Sequence, residues 1–198
     1  MNEKTDQVAA AAKPATTDTL AFTEICYVVH DVEKSARHWA QTVGAGPFYL
    51  IEPHDKARLY RGKPCNDPHK VALGMMGSTV IEFIQPLDDS PSIWREILDV
   101  KGEAVHHVFP DIRPMAAGDY DRRFAAHQAS GLAVALTGEV EGIGRHAFFD
   151  ALDRMGCFIE LLEVNERIWA FTLALHRAHQ SFDGQRPIRP LSELMQIE

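Results

Sequence analysis

Two short apolar runs are each interrupted once. Val80-Ile81-Glu82-Phe83-Ile84 and Phe158-Ile159-Glu160-Leu161-Leu162 are apolar except for a central glutamate. A run this short, rich in β-branched and aromatic residues, reads as a strand covered on both faces. A carboxylate there is costly unless a cation or a hydrogen-bond donor compensates it. One such run is ordinary; two, each closing a similar stretch of chain, point to carboxylates aimed at a shared site.

The rest of the pattern predicts one unit used twice. Glu24 to Val29 is a strand, followed by a helix from Val32 to Val43 with Asp31 as N-cap and Gly44 as its stop. Strands follow at Pro47 to Ile51, Lys70 to Met76 and Thr79 to Ile84, with a long loop from Glu52 to His69. The second half repeats the order: a strand at Ala104 to Phe109, a helix at Asp119 to Ser130, then strands at Leu132 to Thr137, His146 to Phe149 and Cys157 to Val164. The β-α-β-β-β series therefore occurs twice, and such a repeat decides the fold class. Ser90-Pro91 opens a short helix between the halves. Asn165 to Gln180 reads as an amphipathic helix, and Ser181 to Glu198 as a segment wrapping the surface.

The expected organisation is a solvated, disordered tail over residues 1–20, a single two-module unit over 21–164 (about 21–88 and 103–164), and a C-terminal helix and surface tail over 165–198. The tail contains Ala9-Ala10-Ala11-Ala12-Lys13-Pro14 and has no apolar core of a signal peptide. The chain has 198 residues and a net charge of −8 with scattered basic residues, so no nucleic-acid footprint is expected. Its apolar runs are strand-length, too short for a membrane span. Cys26, Cys65 and Cys157 lack metal-type spacing and read as free thiols of a reduced, cytoplasmic protein.

Side chains alternate along a strand, so parity sorts them by face. Glu24 shares a face with Cys26 and Val28, and His107 with Val105 and Phe109. Glu82 shares one with Val80 and Ile84, and Glu160 with Phe158 and Leu162. Each module thus offers one ligand-type residue on its opening strand and one on its closing strand. The separations are 58 positions (24 to 82) and 53 positions (107 to 160). His106, adjacent to His107, is expected on the other face in a structural role. Arg58, Arg61, Lys63 and Lys70 cluster in and beside the long loop, where they are either solvated or placed to receive an anionic substrate.

Here the chain resembles the vicinal oxygen chelate superfamily, which includes glyoxalase I, methylmalonyl-CoA epimerase and extradiol dioxygenases. The resemblance rests on Ile25-Cys26-Tyr27-Val28-Val29-His30-Asp31-Val32, Gly46-Pro47-Phe48, Ile81-Glu82-Phe83-Ile84-Gln85-Pro86, Gly102-Glu103-Ala104-Val105-His106-His107-Val108 and Phe158-Ile159-Glu160-Leu161. The Gly-Glu-x-x-His-His segment is most similar to the epimerase-like branch. The resemblance implies an α+β fold in which two tandem modules form a half-open barrel around a divalent metal, and it places the four metal ligands on Glu24, Glu82, His107 and Glu160. The family usually has His or Gln where this chain has Glu24, and the epimerase base has no matching Glu in Lys70 to Met76.

Three carboxylates and one imidazole suit a hard or borderline cation: Fe, Mn, Co, Mg or Zn. The expected activity is a metal-dependent epimerase, isomerase or lyase acting on a carbonyl compound through an enolate, with Glu24 or Glu160 as catalytic base. The alternatives are an iron-dependent dioxygenase and a non-catalytic small-molecule-binding protein of the resistance type. The expected partners are a small-molecule substrate, anionic with an apolar body, and a second copy in a homodimer, with no nucleic acid and no membrane.

Overall fold

The computed structural model describes residues 20–52, 55–140 and 144–196. The tail expected over 1–20 falls, up to residue 19, outside the described residues. The first module consists of β1 (Phe22–Val28), α1 (Val32–Val43), β2 (Phe48–Ile51), an inserted hairpin of β3 (Asp55–Tyr60) and β4 (Lys63–Cys65), then β5 (His69–Met76) and β6 (Thr79–Pro86). Helix α2 (Ile93–Lys101) leads to the second module: β7 (Ala104–Ile112), α3 (Asp119–Ala129), β8 (Ala133–Val140), β9 (Gly144–Ala151), the single turn α4 (Leu152–Met155) and β10 (Cys157–Leu162). The chain ends in α5 (Glu166–Gln180), β11 (Ile188–Pro190) and α6 (Leu191–Leu194).

Local chemistry sets the helix ends. The Asp31 carboxylate accepts the Lys34 amide at 3.0 Å, and α1 stops at Gly44, whose φ of 71° suits a residue without Cβ. Helix α2 starts later than the Ser90-Pro91 pair suggests, because the Ser92 hydroxyl accepts the Arg95 amide and takes the cap. Ile93 and Ile97 are almost fully buried, each contributing about 1.5–3 kcal/mol.

All strands join one sheet, in the order β11-β2-β5-β6-β1-β7-β10-β9-β8-β3-β4. Within each module the opening and closing strands are parallel neighbours, β1 with β6 and β7 with β10, and antiparallel β1 and β7 join the modules within the chain. The registers repeat as well. Glu24 lies opposite Val80, and His107 lies opposite Phe158. In both modules the closing glutamate comes two residues after that partner.

The sheet also curls. Strands β2 and β8 end the run of eight module strands, yet β3 begins four residues after Ile51 and pairs with β8. Four residues of chain reach at most about 14 Å, so the two ends of the sheet must approach one another. The long loop expected between β2 and β5 is thus the hairpin that extends the second module. Its tip is held by Arg61, which pairs with Glu96 at 2.6 Å and Asp150 at 2.8 Å, and by Arg58, which pairs with the buried Asp67 at 3.3 Å. These partners are distant in sequence, and the loop's composition could not reveal them.

The concave face is layered. At one end Cys26, Ile84 and Phe158 pack under Ile93, Trp94 and Ile97 of α2. At the other, Phe22, Val80 and Phe109 pack under Leu175 of α5 and Leu194 of α6. The segment expected to wrap the surface therefore adds an edge strand, β11 on β2, and a buried anchor. Helices α1 and α3 cover the convex side, over Phe83 and over Phe149.

Candidate metal centre

Glu82, Glu24, His107 and Glu160 stand on β6, β1, β7 and β10, four consecutive strands of the sheet, between the two apolar layers. Nε2 of His107 lies 3.3 Å from Glu24 Oε1, 3.3 Å from Glu82 Oε2 and 3.1 Å from Glu160 Oε2. The imidazole is 1% exposed and the three carboxylates 12–13%. The ligand atoms of Glu24, His107 and Glu160 all fall within 4.8 Å of one another, the spread of a common coordination sphere. All four residues named from parity converge. Among the described residues none of these carboxylates pairs with a lysine or arginine.

Burial raises the Glu24 carboxyl to about 7, against the His107 hydrogen bond and with help from the Glu160 charge. Burial alone would push His107 down, but the hydrogen-bonded Glu160 carboxylate and the polar groups around the ring outweigh it and hold the imidazole well above its ordinary value. The Cys26 thiol is fully buried and raised by that burial and by Glu82, so it is an inert wall.

His106 corrects the simple alternation. Cys26 pairs with His107 and Tyr27 with Val105, so His106 is an extra residue in β7, a bulge. A bulge re-aims side chains, and His106 turns inward, fully buried, with its ring 4.6 Å from Trp94 and 5.0 Å from Phe158. Its Nε2 lies 3.1 Å from the Ile93 carbonyl, which can only accept, so that nitrogen carries the proton. Burial keeps the ring neutral, leaving a lone pair on Nδ1. His107 Nδ1, at 2.9 Å, donates to it. This chain of bonds assigns the tautomer: His107 Nε2 is the nitrogen presented to the three carboxylates. An imidazole nitrogen oriented through its other ring nitrogen is the usual condition of a metal-binding histidine. The donor set, one oriented nitrogen and three desolvated carboxylates with no lysine or arginine partner among the described residues, fits a divalent cation. Only the His-His doublet hinted at this in the sequence.

A cavity of about 460 Å³ adjoins Glu24, with Leu73, Val80 and Phe109 on the barrel side and Phe171 and Leu194 across from them. Arg167 and Arg177 of α5 also line it. A second hollow, about 590 Å³, lies between β4 and Ser90-Pro91 and touches none of the four converging residues.

Paired β-α-β-β-β modules with inward polar residues on their first and last strands define a barrel of tandem modules with a candidate metal site. Residues 23–149 match the Glyoxalase/Bleomycin resistance protein/Dioxygenase superfamily, and the chain belongs to it. That match ends before β10, so Glu160 enters the site on geometry. Among solved structures, a hypothetical protein of Bacillus halodurans is similar with a TM-score of 0.52 at 17% identity, over 72% of this chain and 93% of that one. A methylmalonyl-CoA epimerase from Mycobacterium tuberculosis aligns with a TM-score of 0.48 at 17% identity, over 74% and 89%. Likeness at this identity concerns the fold. No curated protein matches the chain. Among the described residues no helix is long and apolar enough to cross a membrane.

Proposed function

We propose that Glu24, Glu82, His107 and Glu160 hold one divalent metal ion and that the protein moves a proton next to a substrate carbonyl, as an epimerase, isomerase or lyase. The observation that carries this reading is the convergence of three carboxylates, with no lysine or arginine partner among the described residues, on the oriented nitrogen of His107. A set rich in oxygen donors favours Mn, Fe, Co, Mg or Zn over soft cations. The ion, when bound, supplies a Lewis acid that lowers the cost of the enolate charge.

The proton belongs to this chain's own residues. Glu24 is the one member of the four that lines the cavity, which puts its carboxylate where a substrate in that cavity meets it. Its carboxylate takes the α-proton, the C–H electron pair moves into the enolate, and return of the proton to either face gives the epimer or isomer. Glu160 serves as the second candidate base. The apolar side chains of Val80, Phe109 and Phe171 line the cavity beside Glu24 and offer the proton no competing acceptor. Weighing against the dioxygenase alternative, both ring nitrogens of His106 are engaged, leaving one imidazole where iron oxygenases commonly use two.

The test is metal-dependent exchange of α-protons in D₂O, with acyl-CoA thioesters and oxo compounds as candidate substrates. Protein reconstituted with Mn²⁺ or Co²⁺ is expected to exchange, chelated protein not, and Glu24→Gln is expected to keep metal while exchanging far more slowly. Oxygen consumption without exchange into any carbonyl compound overturns the reading.

A further inference from the structure

Nine of the thirteen arginines among the described residues lie outside the C-terminal segment, and the acidic chain occupies nearly all of them. Arg37, Arg58, Arg61, Arg95, Arg113, Arg122, Arg123 and Arg145 form ion pairs, as does Arg186 nearer the end. The side chains of Arg154 and Arg189 donate to backbone carbonyls. Two guanidiniums remain without a hydrogen-bond or ion-pair partner among the described residues, those of Arg167 and Arg177. Both stand on α5 and both line the cavity beside Glu24. In a protein of net charge −8, leaving these two unpaired at one cavity is specific.

We propose that α5 makes this cavity selective for small amphipathic carboxylates, with the apolar body between α5 and the sheet and the carboxylate on Arg167 or Arg177. Helix α5 follows β10, the last strand of the second module, so the cap lies outside the two modules. Residues 167 and 177 are ten apart, about 15 Å along a helix, which puts a positive charge toward each end of the cavity's α5 wall. Phe171 and Ala174 between them give that wall its apolar middle. A cavity of about 460 Å³ is in the range of roughly 300–1,000 Å³ that takes a small organic molecule. A guanidinium matches a carboxylate in charge and in planar geometry. The cationic loop expected to receive an anion is excluded for Arg58 and Arg61, which hold the hairpin. This inference deepens the function proposed above and rests on it for the chemistry at Glu24.

The test uses decanoate and its neutral counterpart 1-decanol as probes, followed by intrinsic tryptophan fluorescence and calorimetry on the full chain. Chelated protein is used first, so that no carboxylate is held by a metal. Decanoate is expected to bind, and the double variant Arg167→Gln/Arg177→Gln to bind it roughly ten-fold more weakly while binding 1-decanol unchanged. Half-molar salt should weaken decanoate alone, because both arginines are exposed and screened. Circular dichroism checks that the variant folds. Decanoate binding that is absent from the wild type, or equal in wild type and double variant, overturns the inference. Metal content, measured separately on unchelated protein, reports on the metal proposal and is expected to be equal in both.

Discussion

His106→Phe tests whether an imidazole outside the four carboxylate and imidazole donors sets the metal affinity. The phenyl ring keeps the packing on Trp94 and Phe158, but both hydrogen bonds disappear. The Ile93 carbonyl at 3.1 Å and the His107 Nδ1 proton at 2.9 Å lose their partner in a fully buried setting. Each buried group left unpaired costs about 1–3 kcal/mol, so the metal-free variant should unfold earlier than metal-free wild type. Loss of such an orienting partner typically weakens metal binding 10–100-fold. Under saturating metal that removes about 1.4–2.8 kcal/mol of metal-linked stabilisation. Competition titration of Mn²⁺ or Co²⁺ against a chelator, together with thermal melts with and without metal, measures both quantities. His106→Gln, which retains a donor and an acceptor, should recover part of the affinity and keeps the test open if the phenylalanine variant folds poorly. Wild-type affinity in His106→Phe would refute the tautomer argument, since it would show that His107 needs no partner on its second nitrogen.

Glu82→Ala or Glu160→Ala should weaken metal binding by at least roughly 100-fold, more than the loss of an outer partner costs, which metal analysis after dialysis would report. Gly74→Ala should destabilise by about 1–3 kcal/mol in chemical denaturation, because its Cβ would sit 2.7 Å from the Phe48 ring. Its metal affinity should be unchanged, since Phe48 packs under α1 on the convex side. His146 is pushed from 6.5 down to about 4, first by burial and then by the charge of Arg58. Between those values the unfolded chain binds the proton that the folded protein refuses, so stability is full above pH 6.5 and falls as pH drops toward 4, by about 3 kcal/mol. Denaturation curves across that window should be flatter for His146→Gln, and an equal slope in both proteins would count against the assignment.

The double occurrence of β-α-β-β-β, the cap of α1 and the inward face of Glu24, Glu82, His107 and Glu160 were all readable from the chain. They follow from local rules: a period of two sorts strand faces, and Asp31 and Gly44 mark helix ends wherever the helix packs. The inward turn of His106 was not readable, because a bulge is a property of two paired strands, decided by how β7 registers against β1. The roles of the arginines were hidden for a related reason. Arg61 meets Glu96 and Asp150 across 35 and 89 residues, while Arg167 and Arg177 have no acidic partner among the described residues. The hairpin that extends the second module, and the α5 and α6 wall of the cavity, depend on a sheet curled far enough for its ends to meet. Alternation along the chain determined which side chains point inward; only the assembled barrel decided what they point at.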